Sequence, residues 1–391
     1  MKVLIIGAGA VGLHLARTLS WEGHDIVIVD HRQELIDLAV GSMDVLALRG
    51  SGTSISTLME AGVESADLLI AVTSVDEVNI VACMLAKQMG VPTRIARVRN
   101  QEYSHPDTPV SLTKLGITQI IHPELETARE VVRLIHHPHA IDIVECSEGK
   151  MQLVGLKIEP GAEAVGKPLR DITPHYPQIP LRVVAMMRRG ETIIPGGDHK
   201  LAAGDTVYVI TRSENLRKVY HLAGKQASDQ RDVMILGGGM IGRMVAEELE
   251  KEKRYNIKLI ESDQGRSEMA AQRLVSTMVV RSTEGIDLDV MAVEGLAEMG
   301  VFAALTDDDE NNIVTSLFAR HLKIGRTITL ISKPEYMPIA RAIGLDAAVN
   351  KRLLTSDAIL KYLLGGRILA VNSLRGIDAE IVEFEAGSES E

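Results

Sequence analysis

Short apolar runs alternate with longer segments of helical periodicity along most of the chain. In its first part the apolar runs are VLIIG, DIVIVD, VLAL, LLIAVT, RIARV and TQIIHP, separated by segments such as VGLHLARTLSWEG and VNIVACMLAKQMG. Runs that are apolar throughout predict strands buried on both faces, and strands that alternate with helices form parallel, doubly wound sheets. The pattern therefore predicts an α/β domain, closed by a helix at residues 124–137.

The same pattern occurs twice. KVLIIGAGAVG at residues 2–12 is matched by VMILGGGMIG at 233–242, and EAGVESADLLIAVTSVDEVN at 60–79 by VEGLAEMGVFAALTDDDENN at 293–312. Because an interior segment cannot be a leading signal, the second copy favours reading the first apolar run as a buried strand and not as a signal peptide. The sequence predicts a duplicated Rossmann-like domain.

The stretch between the two copies has a different character. DIVECSEG, MQLVGLKI, LRVVAMMRRG and GDTVYVITR are joined by turn sequences such as PGGD, which predicts a small β-rich α+β module with a last helix at 213–224. After Arg367, AEIVEFEAG begins like DIVECSEGK, so a stump of a second module, partly disordered, is expected. The predicted domains are 1–138 and 232–366 (Rossmann-like), 139–224 (module), 225–231 (linker) and 367–391 (stump).

Composition narrows the class of protein. The 391 residues carry a net charge of −11, which argues against a nucleic-acid partner, since such a partner requires a basic stripe. Cys83 and Cys146 have no C-x-x-C spacing, so a reducing cytoplasm fits and a zinc site is not expected. No apolar run reaches the length of a membrane-spanning helix.

The glycines of the first copy follow the pattern G-x-G-x-x-G between a strand and a helix, as dinucleotide-binding loops do. Gly7 permits the tight turn, Gly9 lets the backbone approach a pyrophosphate, and Gly12 allows close packing of helix on sheet. Asp30 ends the next strand and can accept hydrogen bonds from a ribose diol. A carboxylate there favours NAD or an adenine nucleotide over NADP, although Arg32 nearby leaves that preference open.

The second copy keeps Gly237, Gly239 and Gly242, with Glu261 as its acid. The counterpart of Arg97 is Leu330, so a candidate cation on the phosphate side is missing. We expect weaker binding there, or a different ligand.

Two polar runs allow a metal hypothesis. HHPH at 136–139 is read as a hinge after a helix that Pro138 ends, because adjacent histidines do not easily converge on one ion. DDDE at 307–310 could hold a cation, but a solvated loop that caps the next helix is favoured. No metal site is expected.

Three classes of function remain open at this point. An NAD-dependent dehydrogenase would need an acid–base group beside the nicotinamide, but His175, Tyr176 and His199 fall among turn residues of the module. A scaffold with empty Rossmann-like domains is also possible. Duplication is best explained by a nucleotide-responsive assembly.

The glycine loop with Asp30, the run at 60–79, AVGKPLRD at 164–171 and PGGDHKLAAGDTVYVI at 195–210 together resemble the TrkA family, whose repeated domains are of the RCK (or KTN) type. The resemblance covers nearly the whole chain. It implies a non-catalytic regulatory subunit that binds NAD or NADH, or ATP or ADP. It also implies a homotetramer at the cytoplasmic face of the cell membrane, controlling an integral-membrane potassium transporter of the TrkH/TrkG type.

Carried over to this sequence, the resemblance assigns nucleotide contacts in both copies. The chain departs from the family pattern at Leu330 and in the near absence of a second module. The expected cofactor-binding residues are Gly7, Ala8, Gly9, Ala10, Val11, Gly12, Asp30, Thr73, Ser74 and Arg97 in the first copy, and Gly237, Gly238, Gly239, Met240, Ile241, Gly242, Glu261 and Thr306 in the second.

Overall fold

The structure is a computed structural model. It describes residues 1–103, 108–109, 111–147, 149–225, 230–282, 288–363, 368–373 and 379–384. The predicted linker lies mostly outside these residues, and so does the terminal SESE segment that was expected to be disordered.

The first 136 residues form a six-stranded parallel sheet and its helices. The strands are β1 Lys2–Ile6, β2 Asp25–Asp30, β3 Leu46–Arg49, β4 Leu68–Ala71, β5 Thr93–Arg97 and β6 Gln119–Ile121. The helices are α1 Ala10–Trp21, α2 Gln33–Ser42, α3 Ile55–Glu60, α4 Asp76–Gln88, α5 Leu112–Leu115 and α6 Pro123–His136. The strand order is β3-β2-β1-β4-β5-β6, so the order reverses between β1 and β4.

An antiparallel sheet follows. Its strands are β7 Asp142–Cys146, β8 Met151–Lys157, β9 Leu181–Arg188, β10 Glu191–Ile193 and β11 Thr206–Arg212, in the order β10-β9-β11-β8-β7. Its helices are α7 Leu169–His175 and α8 Leu216–Leu222. The predicted last helix of the module therefore starts later than expected, after a 3₁₀ turn at Ser213–Asn215.

The second parallel sheet repeats the first. Its strands are β12 Asp232–Leu236, β13 Asn256–Glu261, β14 Met278–Arg281, β15 Val301–Ala304, β16 Arg326–Leu330 and β17 Ala347–Val349, in the order β14-β13-β12-β15-β16-β17. Its helices are α9 Met240–Lys251, α10 Gln264–Arg273, α11 Leu288–Val293, α12 Asp309–His321, α13 Tyr336–Ala342 and α14 Lys351–Leu363. A final hairpin pairs β18 Ile368–Ser373 with β19 Glu380–Phe384.

The central strands are buried after their first residue because helices cover both faces of a parallel sheet. Leu4, Ile5 and Ile70 are at most 1% exposed, and such burial stabilises the fold by roughly 2 kcal/mol per side chain. The α/β prediction with two parallel sheets and a small β-rich module is confirmed. Helices α3, α5 and α7 and strand β10 were not predicted, because each is too short to show a clear period.

The chain divides into two compact units that do not follow the repeat. Unit 1 comprises Met1–Thr127 and Asn350–Tyr362, and unit 2 comprises Ala128–Val349 and Leu363–Glu391. Helix α6 therefore begins in unit 1 and continues into unit 2. Almost all of helix α14, which follows the last strand of the second sheet along the chain, belongs to unit 1.

Candidate functional site

The first glycine loop lies at the carboxyl end of β1, where α1 begins. Gly7 has φ +107°, a conformation that favours glycine, and a Cβ on Gly12 would lie 1.8 Å from the Gly7 carbonyl oxygen. A Cβ on Gly9, in contrast, would meet nothing within 4 Å. Gly7 and Gly12 are thus required by the fold, whereas Gly9 leaves space open at the start of the helix.

The second loop has the same geometry. Gly237 has φ +106°, and a Cβ on Gly242 would lie 1.9 Å from the Gly237 carbonyl oxygen. Space over Gly239 is again open. In both loops the first N–H groups of the helix lack intrahelical partners and lie at the positive end of the helix dipole, which suits a phosphate.

Not every loop side chain faces this space. Val11 and Ile241 are 7% exposed, so these two residues could contact a ligand only through their main chain. Ala10 and Ser74 are exposed, and Met240 is 36% exposed.

Asp30 lies beside the first loop and is buried. Its Oδ2 accepts a hydrogen bond from the Ala8 N–H (2.8 Å), and its Oδ1 accepts from the Arg32 N–H (3.0 Å). Burial alone would raise the pKa of this carboxyl, but the hydrogen bonds from Arg32 and Ala8 and the charge of Arg32 outweigh it, so the pKa lies below its usual value. The carboxylate thus holds the loop in place, in addition to its predicted role toward ribose.

Glu261 does the same in the second copy. Its Oε2 accepts from the Gly238 N–H (2.7 Å) and its Oε1 from the Asp263 N–H (2.8 Å). A Cβ on Gly238 would lie 3.0 Å from the Glu261 Cβ. The longer acid therefore occurs with the smaller loop residue, and Asp30 occurs with Ala8.

Thr73 follows β4 and is held by a buried amide from α4. Asn79 accepts from the Thr73 N–H (2.9 Å) and hydroxyl (2.8 Å), and its Nδ2 donates to the carbonyl oxygens of Thr73 (3.1 Å) and Arg97 (2.8 Å). The predicted site residue Thr73 thus lies at the carboxyl edge of the sheet, and its hydroxyl donates a hydrogen bond within the protein. Asn79 fixes the carboxyl ends of β4 and β5 side by side.

Thr306 is held in the same way. Asn312 accepts from its N–H (3.1 Å) and hydroxyl (2.7 Å) and donates to the carbonyl oxygens of Thr306 (2.9 Å) and Leu330 (3.0 Å). Both asparagines are 0% exposed. Their function was missed from the sequence, although the repeat aligns them.

Arg97 ends β5 next to this arrangement. Its Nη1 lies 3.5 Å from the Thr73 carbonyl oxygen, and its Nε has no hydrogen-bond partner among the described residues. Burial lowers the pKa of the guanidinium, and the charge of Glu124 opposes that effect. A half-buried cation with an unpaired donor is suited to an anionic ligand.

The second copy has a buried Leu330 at this position but carries two other arginines near its loop. Arg243 Nη1 donates to the Gly238 carbonyl oxygen (2.7 Å), and Arg266 Nε lies 3.6 Å from Glu261 Oε2. The first copy has Leu13 and Leu35 at the equivalent positions. A comparison of the two copies at the start of each helix would have revealed this difference.

The acidic run at 307–310 caps a helix, as expected. Asp308 accepts from the Asn311 N–H (2.9 Å) at the start of α12. The expectation of a solvated loop is wrong for Asp309, which is 3% exposed and accepts from the N–H groups of Ser332 (2.7 Å) and Lys333 (2.8 Å).

The histidine run at 136–139 begins at the end of α6, as its proline predicts. His136 contacts Glu252, and His137 Nδ1 lies 3.4 Å from the Tyr220 hydroxyl. In the part of the chain that the structure describes, no group of three or more His, Cys, Asp or Glu residues is arranged to hold a metal ion.

The residues considered for acid–base chemistry belong to the module with the antiparallel sheet. His175 is the last residue of helix α7, so it does not lie in a turn as expected. The Tyr176 hydroxyl lies between Lys167 Nζ (2.7 Å) and Glu163 Oε2 (2.9 Å).

Among the described helices, none is long and apolar enough to cross a bilayer.

Family models match most of the chain. The TrkA-N domain matches residues 3–123 and 233–351, and the TrkA-C domain matches residues 153–224. The Trk system potassium uptake protein TrkA of Azorhizobium caulinodans is 34% identical over 390 residues, which cover 99% of this chain and 85% of that protein. A TrkA homologue of Methanosarcina mazei is 34% identical over 398 residues and is covered to 96%.

Solved structures share the fold. The crystal structure of the GsuK RCK domain superimposes with a TM-score of 0.65 at 20% identity, over 95% of this chain and 79% of that one. The GsuK channel bound to NAD also gives 0.65 at 20% identity, over 93% of this chain. This chain spans 63% of the length of that channel chain.

Proposed function

We propose that this chain, which belongs to the TrkA family of potassium uptake proteins, is a non-catalytic regulatory subunit with two nucleotide-sensing domains. One observation carries the proposal. The chain contains the same constellation twice: a glycine loop with open space, an acid bonded to the loop, and a Thr–Asn pair at the next strand.

The residues fit an adenine nucleotide. The loops offer main-chain N–H groups to phosphates, and the space over Gly9 and Gly239 leaves room for them. Asp30 and Glu261 each accept three hydrogen bonds within the protein, and a carboxylate has about four acceptor positions, so one position on each can still accept from a ribose hydroxyl. NAD, NADH, ATP and ADP all share this adenosine-phosphate end.

Ligand contacts in the first domain are proposed for Gly7 to Gly12, Asp30, Thr73, Ser74 and Arg97. In the second domain they are proposed for Gly237 to Gly242, Glu261 and Thr306. In that domain Arg243 and Arg266 supply positive charge. Neither lies on β16, which is the counterpart of the strand β5 that carries Arg97 in the first domain. The two domains would therefore rank nucleotides differently.

The partner would be an integral-membrane potassium transporter of the TrkH/TrkG type, with the chain at the cytoplasmic face as a homotetramer. Family membership supports this, because the curated relatives are named as Trk system potassium uptake proteins. A bound nucleotide can shift the assembly only by its difference in affinity for two arrangements. Ligands that share one end and differ at the other can bias that equilibrium in opposite directions.

The test is a calorimetric titration of the purified chain with NADH, NAD and ATP in turn. About two equivalents per chain would mean that both loops bind, and one equivalent that a single domain senses. Asp30→Ala and Glu261→Ala, tested separately, assign each equivalent to its loop. Absence of binding to all three nucleotides would overturn the sensing function, and turnover of the nicotinamide would favour a dehydrogenase.

Control of transport is tested with the transporter reconstituted in vesicles. Nucleotide-dependent potassium flux is expected with the native chain and is expected to disappear with Asp30→Ala combined with Glu261→Ala. Flux that responds to nucleotide equally with this double variant would contradict the proposal.

A further inference from the structure

A group of charged side chains lies within unit 1 at the carboxyl ends of β5 and β6. Arg97 and Arg99 come from the end of β5, and Glu124 comes from the start of α6. Lys351 and Arg352 come from the start of α14, more than 200 residues later in the chain. We call these five residues the α14 cluster.

Glu124 is the centre of the cluster and is only partly paired. It is 4% exposed, and its Oε1 accepts from Arg99 Nε (3.0 Å) and lies 3.6 Å from Lys351 Nζ. Its Oε2 has no hydrogen-bond partner among the described residues. One carboxylate oxygen therefore serves two cations, and neither cation is fully neutralised.

Positive charge is in excess around this carboxylate. The negative charges of Glu124 and Asp76 raise the pKa of the half-buried Arg97, and the positive charges of Arg99 and Arg352 lower it. The Asp76 Oδ2 already accepts from the N–H groups of Arg99 (2.9 Å) and Asn100 (2.8 Å). The four cations of the cluster thus face one carboxylate of their own, Glu124, and the neighbouring Asp76, one oxygen of which is occupied by main-chain donors.

The cluster adjoins the first glycine loop through Thr73. A Cβ on Gly7 would lie 3.0 Å from the Thr73 nitrogen, and the Thr73 carbonyl oxygen lies 3.5 Å from Arg97 Nη1. In an open α/β sheet a ligand crosses the edge where the strand order reverses, here between β1 and β4. The end of a nucleotide that lies beyond the loop would therefore point toward β5 and the cluster.

We propose that Lys351 and Arg352 complete the first nucleotide site and that the α14 cluster receives the terminal phosphates of a nucleoside polyphosphate. This inference rests on the proposed nucleotide-sensing function and names the ligand class of its first site. Terminal phosphates supply the negative charge that Arg97, Arg99 and the α14 residues lack. A dinucleotide carries a nicotinamide riboside at this end and offers no such charge.

The type of nucleotide bound at the first site would therefore affect helix α14. Because Lys351 is the first residue of α14, a phosphate that competes with Glu124 for Lys351 acts directly on the start of that helix. Helix α14 follows β17 of the second sheet without an intervening loop longer than one residue. Triphosphate and dinucleotide ligands would thus differ in their effect on a segment that the second half of the chain contributes.

The test compares the affinity of the full chain for ATP, AMP and NADH by calorimetry. Lys351→Gln combined with Arg352→Gln is expected to weaken ATP binding at the first site about tenfold, because charge-assisted contacts are lost. Binding of AMP and NADH is expected to change less than about twofold. Lys361→Gln, at the exposed last turn of the same helix, is the matched control and leaves all three affinities unchanged.

Arg352→Gln alone guards against a folding defect, because this side chain is exposed. It is expected to reduce the ratio of ATP to AMP affinity in the same direction. An unchanged ratio in both the single and the double variant would overturn the inference while leaving nucleotide sensing intact. Loss of binding of all nucleotides by the native chain would instead refute the proposed function itself.

Discussion

The main-chain N–H of Gly238 donates to Glu261 Oε2 over 2.7 Å, and a Cβ on Gly238 would lie 3.0 Å from the Glu261 Cβ. In the first copy Ala8 donates to Asp30 over 2.8 Å with its own Cβ in place. The acid and the loop residue therefore form a matched pair in each domain. A Cβ at position 238 would crowd the Cβ and Cγ of Glu261, whereas the same two positions of the first copy accommodate Ala8 and Asp30.

The matched pair predicts a defect and its repair. Gly238→Ala is expected to displace Glu261 and to weaken nucleotide binding at the second site about tenfold, since overpacking of this kind costs roughly 1–3 kcal/mol. Adding Glu261→Asp reproduces the Ala8–Asp30 arrangement and is expected to recover most of the affinity. Calorimetry in an Asp30→Ala background isolates the second site. If Glu261→Asp gave no recovery, the matched-pair explanation would be wrong.

The three glycines of one loop are expected to respond differently to alanine. Gly9 has φ −69° and ψ −177°, which alanine adopts easily, and a Cβ there would enter open space. Gly9→Ala should therefore leave the free energy of unfolding unchanged but lower the affinity for nucleotide, since the new methyl group occupies the space meant for phosphate.

Gly12→Ala is the contrasting variant, because its Cβ would lie 1.8 Å from the Gly7 carbonyl oxygen. It should destabilise the first domain before any ligand is added. Urea unfolding and calorimetric titration on both variants separate the two effects. A Gly9→Ala protein that binds nucleotide like the native chain would place the ligand elsewhere.

Much of both sites could be predicted because the chain repeats itself. The loop occurs twice, and each time an acid follows it at a similar distance along the chain. These acids, Asp30 and Glu261, both accept a hydrogen bond from their loop. The burial of Asp309 could not be predicted, because its main-chain partners come from the end of another strand. The contact of Lys351 with Glu124 joins residues 227 apart and leaves no local signal.

The Thr–Asn pairs illustrate the same limit. Repeat alignment sets Asn79 opposite Asn312, but only the fold shows that each amide ties two strand ends together through four hydrogen bonds. Sequence reasoning assigned the threonines to the ligand and did not anticipate that their hydroxyls donate to the asparagines. An alignment finds equivalent positions and does not show what they contact.

Asn79→Ala is accordingly expected to destabilise the first domain by roughly 3 kcal/mol, since it leaves buried main-chain groups of Thr73 and Arg97 unpaired. Hydrogen exchange should rise at the carboxyl ends of β4 and β5 and stay unchanged in the second sheet. Asn100→Ala, at an exposed position nearby, is the control. Equal exchange in the Asn79 and Asn100 variants would argue against a structural role for the amide.

His137, at the end of the first domain's last helix, predicts a pH dependence of stability. Burial lowers its pKa from 6.5 to about 4, with smaller contributions from His136, Arg133 and Arg254. Between these two values the unfolded chain binds a proton that the folded chain does not, so the free energy of unfolding must fall as the pH decreases from 6.5 to about 4.

Above pH 6.5 the contribution of His137 is fully present, and it is lost progressively on acidification. His137→Gln removes this titrating group and should reduce the difference in the free energy of unfolding between pH 7.5 and pH 5, as measured by urea unfolding; the part that remains belongs to groups such as His14 and His122, whose pKa values burial also lowers. His321→Gln, which replaces an exposed histidine at the end of α12, should leave the difference between the two pH values as in the native chain. If His137→Gln retained the full pH difference, the proton would have to bind at another group, and the burial of His137 would not be the cause.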